Sequence, residues 1–148
     1  MQLRDSLSPQ ERHRYINGRL TPGRVLLLHC DFTMPPKEKF IALGSVDPEP
    51  LFLVINTRPS DFIMRREWLR QCQVLLHQSE HGFLRYDSYL DCTAAYNIVQ
   101  SDIHQQIDAD VSRIKDSLSA GARDQVIAAV KFSKTLPEVH KAALLHAL

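Results

Sequence analysis

Two short polar stretches lie at the ends of apolar runs and carry residue types that bind and act on anions. Lys37 and Lys39 come just before one apolar run, and Thr57 and Arg58 come at the end of the next. Polar residues that end buried strands are held in place by the sheet behind them, so these four are site candidates. The alternative is that Thr57 satisfies backbone groups at a strand end and that the lysines are solvated charges on an edge.

A second candidate region follows directly and combines cations with aromatic rings. Arg58, Arg65, Arg66 and Arg70 surround Trp68 in the chain. Basic residues interleaved with aromatic residues suit single-stranded RNA, because phosphates meet the cations and bases stack on the rings. We therefore predict RNA contacts by Arg65, Arg66 and Trp68. The alternative is an amphipathic turn with Trp68 and Leu69 in the core and the arginines outside.

A cluster of polar residues, Asp87, Ser88 and Asp91, interrupts an otherwise apolar region. A carboxylate near a strand end could act as a base, so Asp87 and Ser88 are included in the predicted RNA-binding set. The competing interpretation is an Asx-type turn in which Asp87 and Ser88 set a bend of the chain.

Metal and thiol chemistry receive little support from the residue pattern. On a strand, His29 and Asp31 would share one face while Cys30 points to the other. His77 and His81 are not spaced to complete a metal site, so we expect neither a metal nor a cofactor. The three cysteines, Cys30, Cys72 and Cys92, are widely spaced, which favours reduced thiols over a disulfide framework.

Length and composition limit the class of protein. A chain of 148 residues with 44% hydrophobic and 24% charged residues is typical of one globular domain. Its formal net charge is only +1, so a nucleic-acid site would have to be a local patch. No apolar run approaches the roughly 20 residues of a membrane helix, and the first six residues lack a signal-peptide pattern. We expect a cytoplasmic protein that does not contact the membrane.

The hydrophobic pattern predicts an N-terminal helix followed by short strands. Ser8-Pro9-Gln10-Glu11 is a helix-start signature, and the helix is expected to end near Asn17-Gly18. Alternating or continuous apolar runs separated by proline-rich turns then predict strands. The predicted strands cover residues 24–32, 39–46, 51–57 and 73–78, with extended segments at 83–87 and 88–93; residues 61–71 could form one or two helical turns.

The period changes to that of a helix after residue 97. Ile98, Ile103, Ile107, Val111 and Ile114 have helical spacing, with Ser101 as the expected cap. A second helix is predicted from Leu118-Ser119, and a capping-box pattern at 135–138 predicts a last helix through residue 148. The fold class predicted is α+β, with an antiparallel meander or small barrel in one domain. The helix would occupy 1–20, the barrel strands 22–99 and a helical part 100–148.

The order of these elements resembles the MazF/PemK toxin family. The resemblance covers roughly residues 22–133 and is carried by short motifs: Pro22-Gly23 opening strand one, Lys37-Glu38-Lys39-Phe40 before strand two, Ile55-Asn56-Thr57 ending strand three, Asp87 to Thr93, and Leu118-Ser119 before a helix. It implies an SH3-like barrel, a metal-independent endoribonuclease of a toxin-antitoxin system, a homodimer and a peptide antitoxin.

The resemblance also implies which residues would act. In active members an arginine before strand two and a threonine at the end of strand three are the usual essentials. Thr57 matches the threonine, whereas Lys39 stands at the arginine position. A lysine supplies charge but not a planar two-point grip on phosphate. We therefore predict Thr57, Lys39 and Arg58 as the catalytic set, with Arg58 substituting for the missing arginine.

Two function classes follow. The first is a toxin-type endoribonuclease that acts on single-stranded RNA and is neutralised by an antitoxin-like protein. The second is a non-catalytic SH3-like barrel that serves as a binding or regulatory module. The lysine at the arginine position favours the second class, whereas Thr57 and the order of elements favour the first.

Overall fold

The computed structural model describes residues 7–148, so the signal-peptide reading of the first six residues lies outside the described part. One sheet carries six strands: β1 Arg24–Cys30, β2 Lys37–Ser45, β3 Leu51–Asn56, β4 Gln73–Leu76, β5 Ser88–Asn97 and β6 Ile114–Ser117. The helices are α1 Pro9–Arg19, α2 Asp61–Met64, α3 Glu67–Arg70, α4 Gln100–Ala109, α5 Ala120–Phe132 and α6 Glu138–Ala147.

The six strands form a curled, antiparallel half-barrel in the order β4-β5-β3-β2-β1-β6. All neighbouring strands pair antiparallel. Short proline-containing turns join β1 to β2 and β2 to β3, as predicted for antiparallel neighbours. The predicted fold class, α+β with an antiparallel sheet, an N-terminal helix and C-terminal helices, is confirmed. β3 lies in the middle of the sheet, and its first five residues are buried on both faces.

The core is divided between the two faces of the sheet. On one face, Ile16 of α1 and Ile103 and Ile107 of α4 pack with Leu26, Ile41, Phe52 and other sheet residues. On the other face, Val126 of α5 and Leu144 of α6 pack with Leu53, Leu76, Leu90 and their neighbours. Each strand contributes alternate side chains to these clusters, because successive residues of a strand point to opposite faces. The sheet is therefore a scaffold supported from both sides.

Helix α1 begins as its sequence predicts but ends differently. The Ser8 hydroxyl accepts a hydrogen bond from the Glu11 amide, and Pro9 occupies the first helical turn. Gly18 stays within the helix and Leu20 is the C-cap, so the expected left-handed glycine end is wrong. The left-handed glycine is instead Gly23, with φ of 93°, in the turn that opens β1.

The predicted helix through Ile114 is wrong in its second half. Helix α4 ends at Ala109 because the Asp110 carboxylate accepts hydrogen bonds from the Ser112 amide and hydroxyl, which turns the chain. Residues Ile114–Ser117 then pair with β1 as the edge strand β6. The cap of α4 is also not the expected Ser101, which lies inside the helix; Val99 is the N-cap residue.

Two further local predictions differ from the structure. Residues 83–87 form turns rather than a strand, since the Leu84 amide donates to the His81 carbonyl. The capping box at the start of α6 is absent, because the Thr135 hydroxyl donates to the Thr93 carbonyl at 2.5 Å and Pro137 is the N-cap residue. Ser119, by contrast, caps α5 as predicted, accepting from the Ala122 amide.

Candidate functional site

A groove of about 200 Å³ opens on the sheet face that also carries α1 and α4. We call it the sheet groove. Strand pairing assembles it, because Ile41 of β2 pairs with Val54 of β3, and Val54 pairs with Asp91 of β5. Alternate residues of three adjacent strands thus meet on one surface. The described residues that line the sheet groove are Phe32, Thr33, Met34, Lys37, Lys39, Val54, Asn56, Asp91 and Tyr96.

The cation of the sheet groove is held by an amide. Lys39 Nζ donates to Asn56 Oδ1 at 2.6 Å, joining β2 to the last residue of β3. Burial lowers the pKa of Lys39 below its ordinary value, and the nearby charge of Lys37 lowers it further. Lys39 is half-buried and Lys37 is exposed, so the two ammonium groups differ in desolvation. An anionic ligand at this position would relieve the cost of holding the Lys39 charge in a partly buried place.

Asp91 lies on the other side of the sheet groove and is fixed by three donors. Its Oδ1 accepts from Gln73 Nε2 at 2.8 Å, from the Thr93 amide at 2.9 Å and from the Thr93 hydroxyl at 2.6 Å. Gln73 belongs to β4, so this carboxylate connects the edge strand to β5. Because the donors come from two elements, the carboxylate plane is fixed before any ligand arrives.

Two aromatic rings complete the groove. Phe32, which follows β1, stacks on Tyr96 of β5 with ring centroids 4.2 Å apart and an angle of 8° between the planes. Burial raises the pKa of Tyr96, with a smaller contribution from the Asp91 charge, so its hydroxyl stays protonated. A flat aromatic pair beside two lysines is an arrangement on which a base can stack while its phosphate meets a cation.

The predicted catalytic residues are only partly brought together. Lys39 and Lys37 line the sheet groove. Thr57 and Arg58 follow Asn56 directly, are exposed, and are not among the described residues that line it. The Arg58 guanidinium is 81% exposed and lies 3.8 Å from the Asp61 carboxylate.

The predicted arginine and tryptophan contacts lie on α2 and α3, the segment that connects β3 to β4. Trp68 is 41% exposed and Phe62 is 59% exposed, whereas Leu69 is buried. The alternative with Trp68 and Leu69 in the core is therefore right for Leu69 and wrong for Trp68. The Arg66 guanidinium lies 3.6 Å from the centroid of the Phe62 ring and donates to the Phe62 carbonyl. Arg65 is exposed at the end of α2. Arginines and aromatic rings are thus open to solvent together.

Asp87 and Ser88 have local structural partners. Asp87 Oδ1 accepts from the Gln78 amide, and its other oxygen lies 3.8 Å from His77 Nδ1. Ser88 is buried, and its hydroxyl donates to the Tyr86 carbonyl. The contacts of Asp87 tie the segment before β5 to the residues that follow β4. Because Asp87 accepts from a residue nine positions earlier in the chain, they are not the bonds of the Asx-type turn given as the alternative.

Phe32 and Tyr96 are groove residues that no sequence motif predicts. The sequence indicates Asn56 only as part of the strand end Ile55-Asn56-Thr57, and Asp91 only as a member of the polar cluster with Asp87 and Ser88. A signal exists in the sequence: Lys37, Lys39, Asn56 and Asp91 are polar residues within or at the ends of apolar strands. It identifies no site without the pairing of β3 with β5, which are separated in the chain by α2, α3 and β4.

A larger cavity, of about 530 Å³, lies between α1 and α4. The polar side chains of this cavity form ion pairs and hydrogen bonds with one another. Arg12 Nε lies 2.8 Å from an Asp108 oxygen, and His13 and His104, stacked at 4.5 Å, both contact the amide of Asn17. These contacts hold α1 against α4, so we place the candidate site in the smaller sheet groove, where lysines and stacked rings face solvent.

His29 and Cys30, adjacent on β1, lie in different environments. His29 Nε2 lies 3.6 Å from an Asp31 oxygen on the exposed side of the chain, while Cys30 is buried. Within residues 7–148, no group of three or more His, Cys, Asp or Glu side chains is placed to hold a metal ion. Cys30, Cys72 and Cys92 are free and buried. In the same part of the chain, no helix has the length and apolar character needed to cross a membrane.

Comparison with known proteins gives similarity to solved structures only. No family model matches the chain, and no curated protein matches it. Among solved structures, the chain is similar to the Mycobacterium tuberculosis toxin MazF-mt6, with 12% sequence identity and a TM-score of 0.49; the match covers 72% of this chain and 90% of that one. A likeness at this level does not carry an activity across, so function is argued from the sheet groove.

Proposed function

We propose that this protein binds single-stranded RNA in the sheet groove. The observation that carries the proposal is the meeting of Lys37 and Lys39 with the stacked Phe32–Tyr96 pair in one cavity. Phosphate needs a cation, and an unpaired base needs a flat ring and polar groups at its edge. The sheet groove offers all three within a structure whose net charge is only +1, so the attraction is local rather than general.

The segment α2–α3 extends this proposal beyond the groove. It follows Asn56 and Thr57 at the end of β3, and it presents Arg65 and Trp68 to solvent, while Arg66 is half-buried against the Phe62 ring. If one nucleotide of an RNA occupies the sheet groove, the adjacent nucleotides of that RNA would lie near α2 and α3. We therefore retain Arg58, Arg65, Arg66 and Trp68 as proposed phosphate and base contacts.

The second candidate function is cleavage of the bound RNA, as in a toxin-type endoribonuclease. The specific observation that favours it is the half-buried Lys39, whose pKa is lowered by burial and which is fixed by Asn56. In metal-independent cleavage the 2′-oxygen attacks the adjacent phosphorus and the bond to the 5′-oxygen breaks. The 2′-hydroxyl loses its proton, the 5′-oxygen gains one, and a 2′,3′-cyclic phosphate forms. Lys39 would stabilise the negative charge on the phosphorus centre.

The MazF/PemK resemblance supplies further proposals about partners. A cytoplasmic toxin of this kind would be a homodimer and would be neutralised by an antitoxin-like protein. Light scattering at tens of micromolar protein tests the first part, and a mass of one chain, about 17 kDa, would contradict it.

The proposed function is tested with the parent protein and three variants. Fluorescence anisotropy with a labelled single-stranded RNA measures binding, and gel analysis of the same RNA in EDTA measures cleavage. Lys39→Met and Thr57→Ala probe the site, and Lys131→Met, on α5 across the sheet, is the matched control. We expect weaker binding by Lys39→Met alone.

The outcomes separate the two candidates. Binding by the parent protein with intact RNA supports the binding module. Fragments that persist in EDTA and disappear with Lys39→Met support the endoribonuclease, and their loss with Thr57→Ala would give Thr57 its predicted role. If the parent protein does not bind single-stranded RNA at micromolar concentrations and low salt, the proposal is wrong.

A further inference from the structure

Within the described residues, one oxygen of the Asp91 carboxylate accepts three hydrogen bonds and the other accepts none. This difference affects which base the sheet groove can bind. Oδ1 takes the hydrogen bonds from Gln73 Nε2, the Thr93 amide and the Thr93 hydroxyl. Among the described residues, none donates to Oδ2, and that atom is not buried. The carboxylate therefore presents one free acceptor oxygen, held in a fixed direction, at the wall of the groove.

The neighbouring strand presents the opposite hydrogen-bonding type. Lys39 Nζ donates to Asn56 Oδ1, so the amide of Asn56 is oriented with its oxygen towards Lys39. Its Nδ2 is then the end left to meet a ligand, as a donor. Asn56 pairs with Tyr89, two residues before Asp91, so Asn56 and Asp91 are diagonal neighbours on one face, roughly 7–8 Å apart.

An acceptor beside a donor distinguishes the two pyrimidines of RNA. At C4, cytosine carries an amino group that donates, next to a ring nitrogen that accepts. Uracil carries a carbonyl oxygen at C4, next to a ring N–H. A carboxylate accepts from the amino group of cytosine and repels the carbonyl oxygen of uracil. The two bases are otherwise alike in size and shape, so the hydrogen-bonding pattern decides between them.

We propose that the sheet groove prefers cytosine to uracil, with Asp91 Oδ2 accepting from the C4 amino group and Asn56 Nδ2 donating to the adjacent ring nitrogen. The inference rests on the proposed binding of single-stranded RNA. Phe32 and Tyr96 would hold the ring by stacking, and Lys37 and Lys39 would hold the backbone phosphate. Asp91 is thus a specificity residue rather than a general contact.

The hydrogen bonds to Oδ1 also fix the result of a substitution. In Asp91→Asn, the three donors of Gln73 and Thr93 require an oxygen at the Oδ1 position. The amide nitrogen must then take the position of Oδ2, where it donates instead of accepting. The variant should therefore lose the preference. A donor now faces the C4 position and disfavours cytosine, while Asn56 Nδ2 still faces the ring nitrogen and disfavours the N–H of uracil.

The experiment measures anisotropy with labelled RNAs made only of cytidine or only of uridine, at one salt concentration. We expect the parent protein to bind cytidine RNA about tenfold more tightly than uridine RNA, and Asp91→Asn to bind the two RNAs with similar affinity. The matched control is Asp110→Asn. Asp110 caps Ser112 through the same pair of amide and hydroxyl bonds but lies outside the groove, so the parent preference should persist.

A third RNA keeps the test independent of any variant. Pyrimidin-2-one nucleotides carry hydrogen at C4, so they lack both the donor of cytosine and the repelled oxygen of uracil. We expect the parent protein to bind this RNA with an affinity between the other two.

Each outcome decides between the two levels of the proposal. Equal binding of all three RNAs by the parent protein, or an unchanged preference in a folded Asp91→Asn, overturns base reading while leaving RNA binding in place. Failure of all three RNAs to bind overturns the proposed function, and base reading with it. Loss of the preference in Asp110→Asn would overturn base reading by Asp91, because it would show that charge alone sets the preference.

Discussion

Replacing Lys39 with methionine should weaken RNA binding and reduce its dependence on salt. The side chain keeps its length and apolar stem but loses the ammonium group that contacts Asn56 Oδ1 at 2.6 Å. Asn56 is only partly buried, so water can replace the lost donor and the fold should be little affected. The change therefore reports on the cation rather than on stability.

The magnitude follows from counterion release. On single-stranded nucleic acid, each phosphate neutralised contributes about −0.7 to the slope of log affinity against log salt. Loss of one contact should make the slope shallower by about 0.7, so a fourfold rise in salt costs the parent protein roughly 2.6-fold more affinity than the variant. At low salt we expect the variant to bind about tenfold more weakly, as for the loss of one charged hydrogen bond.

The assay is anisotropy titration at four or more salt concentrations, with circular dichroism to confirm that each variant is folded. Lys131→Met makes the same chemical change on α5, which packs on the opposite face. Its slope should equal that of the parent protein. An unchanged slope in Lys39→Met, or an equal change in Lys131→Met, would refute the assignment of the phosphate to the sheet groove.

Three further predictions concern the scaffold. Arg113 donates two hydrogen bonds to Glu38 and thereby lowers the pKa of Glu38, so the pair stabilises the fold above the ordinary glutamate pKa and loses this effect as the pH falls through the lowered value. Because Glu38 is 48% exposed, solvent screening limits the effect, and Glu38→Gln should lower the free energy of unfolding by about 0.5–1 kcal/mol at pH 7. In urea unfolding measured across pH, the variant should also lose less stability than the parent protein as the pH falls. An equal loss at low pH would contradict this prediction. Burial raises the pKa of the Cys30 thiol to about 11, and it also raises the pKa of Cys72 and of Cys92. A thiol reagent at pH 8 should therefore label none of the three until the protein is unfolded. Labelling of the native protein would contradict their burial. A Cβ at Gly44 would overlap Leu144 Cδ2, so Gly44→Val should push α6 away from β2 and destabilise the protein by about 1–3 kcal/mol in thermal unfolding. At Gly121 a Cβ would meet nothing within 4 Å, so Gly121→Val should not show that steric cost in the same measurement.

The sequence predicts the early strands well because their signals are local. Apolar runs bounded by Pro22-Gly23 and by the prolines at 35–36 and 48–50 fix β1, β2 and β3 to within a few residues. The caps Ser8 and Ser119 likewise locate the starts of α1 and α5. In each case the stabilising contact lies within four residues of the signal, so it is readable from the chain.

The later elements show where local signals fail. Ile114 has the spacing of a helix, yet it lies on strand β6 because β1 has a free edge that pairs with it. Asp110 contributes by ending α4 through Ser112. Pairing across 90 residues of chain overrides a periodic pattern, since a strand at a sheet edge satisfies backbone groups that a helix would satisfy internally.

The sequence also predicts only part of the candidate site, and the tertiary structure decides the rest. The sequence by itself determined the antiparallel α+β class, the apolar strands and the lysines at the start of β2. The tertiary structure alone decided that Lys39, Asn56 and Asp91 share a surface and that Phe32 stacks on Tyr96. The physical reason is the strand order β5-β3-β2, which brings together residues up to about sixty positions apart through hydrogen bonds between backbones. Those backbone bonds carry no side-chain signature, so the groove exists only once the sheet has formed.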